Sequence, residues 1–359
     1  MALTAELGTH LQNGLKRLTY SGSQMARIAW YTGHYAIGRR RMGPLTNPGE
    51  APYADWSLPL DRKRLRESFS ELFRKDWHHI KNGVYKLPPE VGKIPNVGAL
   101  MKRSRDYFRD AEKVAHRKAY DINAEVLRDD NRDKYPRYFL QNFHYQTDGW
   151  LSAESAERYE TQVETLFTGA AGAMRRTALP FIHHALNGSA GGDTQLVDLG
   201  CGTGTFLREV INNWPHLNIT GLDLSPAYLA KARNNLGGHG TVNLVEANAE
   251  ATGLPNQSAD IVSAIYLFHE LPPKVRAHVM EEAARLLKPG GIFILTDTIQ
   301  YGDEPGLDIL LENFPRGFHE PYYDSFCKLD IATLAGEYGL SPAGVDIGFL
   351  TKSSVFSKS

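Results

Sequence analysis

A doubly wound α/β sheet is predicted for the second half of this 359-residue chain, and three observations predict it. An apolar run at 196–199 leads directly into Gly200, Gly202 and Gly204 and then into residues with helical spacing. A second apolar run, 218–224, carries Asp223 near its end and is followed by Ser225-Pro226, a capping hydroxyl and a proline suited to the first helical position. Between the two runs Phe206, Leu207, Val210, Ile211 and Trp214 recur at helical intervals until Pro215 stops them, which makes this stretch a crossover helix. In such folds small ligands lie at the carboxyl ends of the strands.

The remaining elements follow in the same alternation. Residues 242–247 read as a third strand and 259–268 as a fourth. A helix then places Val275, Val279, Ala283, Leu286 and Leu287 on one face before Lys288-Pro289-Gly290-Gly291, and 292–297 read as the fifth strand. A helix over 329–338 has Gly339 as its terminator, and 343–350 and 352–359 form two closing strands joined by a short turn.

The glycine turn also bears on the ligand. A dinucleotide fingerprint has glycines at its first, third and sixth positions, but the sixth position here is Thr205 or Leu207, depending on which glycine starts the count. Asp198-x-Gly200-x-Gly202-x-Gly204, with an acidic residue closing the next strand, resembles the class I S-adenosylmethionine (SAM) dependent methyltransferases, nearest the ubiquinone/menaquinone-biosynthesis type. That resemblance covers about 191–359. It implies a Rossmann-like seven-stranded sheet of order 3-2-1-4-5-7-6 with strand 7 antiparallel, and SAM as cofactor. It further implies that Gly200, Gly202 and Gly204 let the backbone approach the ligand and that Asp198 lies near its amino-acid end. Asp223 would accept both ribose hydroxyls, with Leu224 beside the adenine. Ala249 would offer backbone to the adenine, and Asn248, where many members carry Asp, its side chain to the exocyclic amine. Tyr266 and His269 end the fourth strand, which in the resembling enzymes faces the transferred methyl group.

Plainer readings of the same residues stand beside these. An aspartate before a helix is common as an anion at the positive helix end, and Asn248 also suits a polar loop. His269 titrates nearest neutral pH and is a candidate general base, or else it caps the next helix or packs on an aromatic ring. No signature of nitrogen methylation, Asn/Asp-Pro-Pro-Tyr/Phe, occurs at that strand end.

Composition fits a cytoplasmic enzyme. Hydrophobic residues make up 42% of the chain, enough for two compact units, and no apolar run reaches membrane-spanning or signal-peptide length. Two cysteines, Cys201 and Cys327, give neither a disulfide framework nor a metal-binding spacing, and no metal is expected. Charge separates the halves: residues 1–140 hold 26 Lys and Arg against 16 Asp and Glu, a net of +10, and the remainder is at −11. That asymmetry suits contact with nucleic acid or a membrane surface, docking of the two halves, or ordinary solvated helices such as 62–80.

The chain divides into a mainly helical basic region (1–140), a helical lid or linker (141–190) and the SAM-binding domain (191–359). Gly33, Gly38, Gly43, Pro44, Pro48 and Pro52 punctuate the first region, and a long helix is expected over about 97–127. In the linker, helices are expected at 152–166 and 173–186. The joining segment 138–151 is aromatic and polar, and in the resembling enzymes this stretch folds over the cofactor. His144, Tyr145, Trp150 and Tyr159 are therefore candidates for the acceptor pocket, with His144 and Tyr145 in catalytic roles; plain packing between the halves explains the same aromatics. A second lid candidate spans 313–323.

The expected activity is methyl transfer to a small organic acceptor. Two alternatives are an RNA or anionic lipid acceptor presented by the basic half, and a SAM-binding regulator without turnover.

Overall fold

The structure is a computed structural model describing residues 2–42, 60–188, 191–240 and 242–359. Gly43, Pro44, Pro48 and Pro52 lie outside the described residues. Seven strands form one sheet: β1 (Gln195–Leu199), β2 (Asn218–Asp223), β3 (Val242–Glu246), β4 (Ala259–Ile265), β5 (Leu287–Thr298), β6 (Leu340–Gly348) and β7 (Thr351–Lys358). Their order is β3-β2-β1-β4-β5-β7-β6, the one the sequence resemblance implies. β7 runs antiparallel to both β5 and β6, and the other pairs are parallel. The order reverses between β1 and β4, so the crossovers leave those two strands in opposite directions and open a crevice at their carboxyl ends.

Both faces of the central strands are covered, as a parallel sheet requires. Val197, Leu199, Val262 and Phe293 pack on one side with Val279, Met280 and Ala283 of helix Pro273–Leu286. Leu196, Ile219, Ile261 and Ile294, alternate along the same strands, pack on the other with Leu207, Val210, Leu229 and Ile182. Ser225 caps helix Pro226–Leu236 as expected, its side chain accepting from the Tyr228 N–H.

The N-terminal region supplies α1 (Ala2–Met42), α2 (Arg62–Lys81) and α3 (Val97–Ala119). Gly33 and Gly38 do not interrupt α1. An interior glycine costs only about 1 kcal/mol, and tertiary contacts on both sides outweigh it. His34 stacks on Phe108 of α3 with ring centroids 5.0 Å apart and places Nε2 2.9 Å from Ser104 Oγ. α3 stops at Ala119, eight residues before the expected end, because Asp121 turns into the left-handed region at φ 50°. The expected helix over 173–186 is broken into Ala171–Arg175, a 3-10 turn and Leu179–Leu186, with Pro180 in the first turn of the last piece, where its missing N–H is harmless.

A buried polar knot fastens this region to the sheet domain. The Arg176 guanidinium donates to both oxygens of Asp76, Nε to Oδ1 at 2.8 Å and NH2 to Oδ2 at 2.7 Å. Tyr20 and Tyr85 donate their hydroxyls to the same carboxylate at 2.5 and 2.7 Å, and Glu209 lies 3.3 Å from Arg176 NH1. Nearer the surface Arg64 pairs with Glu304 at 2.6 Å and Lys75 with Asp346 at 2.6 Å. Docking between oppositely charged halves thus accounts for part of the charge asymmetry.

Candidate active site

The turn after β1 is left-handed at three alternate positions, with φ of 72° at Gly200, 55° at Gly202 and 72° at Gly204, which side chains with a Cβ rarely adopt. The three serve different ends. A Cβ on Gly202 would meet nothing within 4 Å, whereas one on Gly204 would stand 3.1 Å from Ala232 Cβ. Gly202 thus borders open space, and Gly204 lets helix Thr205–Asn213 close on its neighbour rather than lining the cleft.

Asp223, at the end of β2, grips this turn. Its Oδ2 accepts from the Gly202 N–H and its Oδ1 from the Ser225 N–H, both at 2.8 Å, which leaves a further lone pair on each oxygen. Burial raises its pKa to about 6 against the lowering effect of those two donors. Asp198 pairs with Ser263 across the β1–β4 ladder and accepts its hydroxyl at 2.7 Å. It is 1% exposed and lies under the turn, not on the cleft wall, and burial lifts its pKa to about 7.

The cleft above is lined by Gly200, Gly202, Asp223, Leu224, Asn248, Ala249 and Tyr266, seven of the nine residues expected at the cofactor, together with Glu270. Tyr266 sits at φ 56°, a strained setting for a tyrosine, and donates its hydroxyl to Thr351 Oγ1 at 2.9 Å. Asn248 Oδ1 accepts from the Glu250 N–H at 2.9 Å. The segment before the first strand does roof this cleft: Tyr138, Phe139, Phe143, Trp150 and Tyr159 contribute to its walls. Tyr138 donates to Glu250 Oε1 at 2.7 Å, and Ser225 Oγ donates to the Trp150 carbonyl at 2.5 Å. About 110 Å³ of free space remains inside, below the roughly 300 Å³ at which ligand clefts begin. A nucleoside bound here would lie against this roof. Amide hydrogen exchange over 138–150 is expected to slow when SAM is added; unchanged exchange there would contradict the roof.

Beside the cleft lies a cluster of ionisable groups at the carboxyl ends of β4 and β5. His269 Nδ1 stands 2.6 Å from Asp297 Oδ1, and Nε2 stands 3.9 Å from Glu270 Oε1. Burial disfavours the imidazolium, but the charge and hydrogen bond of Asp297, with Glu320 and Glu270 behind them, win and raise the pKa to about 9. Glu270, buried beside other carboxylates, is pushed well above the usual carboxylate range. His269 therefore already holds its proton at neutral pH, which argues against the general-base role read from sequence. A folded pKa above the unfolded value means that this pair stabilises the fold fully below about pH 6.5 and loses its contribution as pH rises through about 9. In an NMR titration the His269 ring carbons are expected to shift near pH 9, and Asp297→Asn should lower that midpoint markedly, with Glu320 and Glu270 left to oppose burial. A midpoint near 6.5 in the parent chain would contradict the coupling.

His144 and Tyr145 part company. Both sit in a left-handed turn, at φ 55° and 53°. His144 Nε2 lies 2.8 Å from Oε1 of the fully buried Glu320 side chain, and the ring faces a second chamber of about 380 Å³. Tyr145 lines neither space. Its hydroxyl donates to Asp121 Oδ1 at 3.1 Å, so it holds the turn rather than touching a reactant, contrary to the catalytic role expected of it. Tyr159 borders both cavities and separates the two.

Glu270, Asp297 and Glu320 were not among the sequence candidates. Glu270 and Asp297 carried a signal, since both follow strands flanking the β1–β4 crevice, where ligand-facing residues gather. Glu320 sits in an irregular stretch, and only the tertiary fold brings it to His144.

Residues 196–291 match the family model described as methyltransferase domain. Residues 196–291 thus carry a methyltransferase domain. The chain is 30% identical over 162 residues to the ubiquinone/menaquinone biosynthesis C-methyltransferase UbiE of Methylobacterium nodulans, a match covering 44% of this chain and 62% of that protein. It is 31% identical over 110 residues to the malonyl-[acyl-carrier protein] O-methyltransferase of Paenibacillus sp., covering 29% and 38%. The chain thus spans between about two fifths and three fifths of these relatives' length. Among solved structures, the CurJ carbon methyltransferase is 14% identical with a TM-score of 0.46, over 100% of this chain and 98% of that one.

The cleft suits the SAM that the sequence resemblance implies. Asp223 has lone pairs left for a diol, Gly202 leaves backbone open to close approach, and Leu224 and Ala249 give an apolar edge for a purine. No group of three or more metal-ligating side chains occurs among the described residues, and no described helix is long and apolar enough to cross a membrane.

Proposed function

We propose that this chain is a SAM-dependent methyltransferase acting on a small organic acceptor, which reaches the methyl group from the chamber beyond Tyr159. The observation that carries this reading is the shared wall: one tyrosine ring borders both the cofactor cleft and a separate chamber large enough for a second ligand. A regulator that only bound SAM would have no need of that second space. When bound, SAM supplies an electrophilic methyl on a sulfonium.

The chain's own residues position and dry the reaction. Asp223 anchors the ribose, and the aromatic roof excludes water. Fixing acceptor and donor in line is worth on the order of 7 to 11 kcal/mol at best. Protons are managed from two sides of the junction. His144, with Nε2 turned to Glu320, takes a proton at its other ring nitrogen on the chamber side, and Glu270, whose burial beside other carboxylates favours its protonated form, exchanges one on the cleft side.

Incubation with tritiated-methyl SAM and fractionated cell extract tests the reading. Label is expected in an organic-soluble or small-molecule fraction, with equimolar S-adenosylhomocysteine released. Label in RNA would favour the nucleic-acid alternative. SAM binding without any labelled product across all fractions would favour the regulator.

A further inference from the structure

We propose that the acceptor is an amphipathic anion, whose apolar body fills the second chamber and whose negative group meets Arg39 at the outer end; this rests on the methyltransferase reading above. The chamber holds about 380 Å³, within the range of roughly 300 to 1,000 Å³ that small-molecule sites span. Four helices supply much of its apolar wall. α1 and α3 give Tyr35 and Val114, helix Ala153–Leu166 gives Val163, and helix Asp308–Gly317 gives Leu310 and Phe314. Such walls suit the apolar body of a chain or ring system.

Apolar surface dominates the lining, with Gln162, Thr298 and Asn313 among the polar exceptions along it. At the inner end Tyr159 borders the cofactor cleft, and His144 lines the chamber. At the outer end Arg39 lines the chamber from the last turn of α1, with its guanidinium 5.9 Å from the centre of the Tyr35 ring. Three consecutive arginines there complement the helix dipole, but only Arg39 borders the chamber, and it has no carboxylate within ion-pair distance among the described residues. Asp110, the one acidic residue in the wall, is already committed: Oδ1 accepts from Thr147 at 2.5 Å and Oδ2 lies 3.5 Å from Arg158 Nε. The unspent charge facing the chamber is therefore positive. A ligand so oriented would present a nucleophilic group on its chain or ring, remote from the anionic end, to the methyl.

Dodecanoate and dodecan-1-ol, matched in chain and differing in charge, serve as probes, each titrated into the full chain while SAM affinity is followed separately by calorimetry. Dodecanoate is expected to bind more tightly than the alcohol. Arg39→Gln, at an exposed position, should weaken dodecanoate about tenfold and leave the alcohol unchanged. Val114→Phe and Leu310→Phe, which fill the chamber from opposite walls, should each weaken both probes more than tenfold with SAM affinity retained. No binding of either probe, equal binding of dodecanoate by Arg39→Gln, or full binding by both filled variants would overturn the proposal. If the probes behave as expected but SAM does not bind, the chamber stands as an amphipathic-anion site and the methyltransferase reading fails.

Discussion

Asp223→Ala should weaken SAM binding by at least about a hundredfold. The carboxylate would accept two ribose hydroxyls, and hydrogen bonds to a charged group are worth about 1.5 to 3 kcal/mol each, so losing both exceeds the 2.7 kcal/mol that a hundredfold in Kd requires. The same side chain fastens the Gly202 and Ser225 N–H groups at 2.8 Å, so alanine also loosens the turn. Asp223→Asn separates the two effects, since it keeps the shape and one acceptor oxygen. It should fall between parent and alanine variant. Affinity should also drop as pH falls below about 6, where the buried carboxyl takes up its proton. Asp223 and Asp198 both have folded pKa values above those of an unfolded aspartate, so each favours the ligand-free fold at low pH and ceases to do so as pH rises through about 6 and 7. The thermal shift produced by SAM should therefore grow between pH 5 and pH 8. A shift that shrinks over that range would contradict the assignment of Asp223.

The largest effect on stability is expected at the Asp76–Arg176 pair. Removing one partner of a buried ion pair costs about 3 to 5 kcal/mol, because the other charge is left uncompensated. Asp76→Ala leaves a guanidinium that is 2% exposed with Glu209, 3.3 Å from NH1, as its remaining carboxylate, and deprives the Tyr20 and Tyr85 hydroxyls of their acceptor. Against a typical domain stability of about 5 to 15 kcal/mol, such a loss should release α1 and α2 from the sheet domain. Burial works against the Asp76 carboxylate, but Arg176 and the two tyrosines hold its pKa below the ordinary value, so the stability it contributes is present above about pH 4 and is lost only in more acid solution. Replacing both partners, Asp76→Leu with Arg176→Met, should recover part of the loss, as charge-free packing often does. Urea titration of the single and double variants, treated as a cycle, measures the coupling. A single variant within 1 kcal/mol of the parent would show that the knot does not hold the two regions together.

The sheet was readable because parallel strands buried on both faces write continuous apolar runs, and the turn because Gly200, Gly202 and Gly204 alternate where only left-handed backbone serves. The cofactor residues were named from the family resemblance, and seven of the nine line the cleft at the strand ends. Tyr145 was misread because its sequence neighbours share the aromatic character of the roof, and nothing local tells which ring turns inward. α1 was underestimated because Gly33 and Gly38 weaken a helix in isolation, while packing on α3 acts across some 70 residues, as from His34 to Ser104. His269 was visible as a titratable group, but its proton is set by Asp297, 28 residues further on. Charge partners brought together only by the fold decide protonation, and no spacing in the chain announces them.

Isothermal titration of the folded chain with SAM bears most directly on the central claim that the glycine turn and Asp223 hold this cofactor. Saturable binding at one site per chain is expected, with S-adenosylhomocysteine competing and Asp223→Ala giving no measurable heat at the same concentrations. A folded chain that binds neither nucleoside, or an Asp223→Ala variant that binds SAM as the parent does, would contradict it.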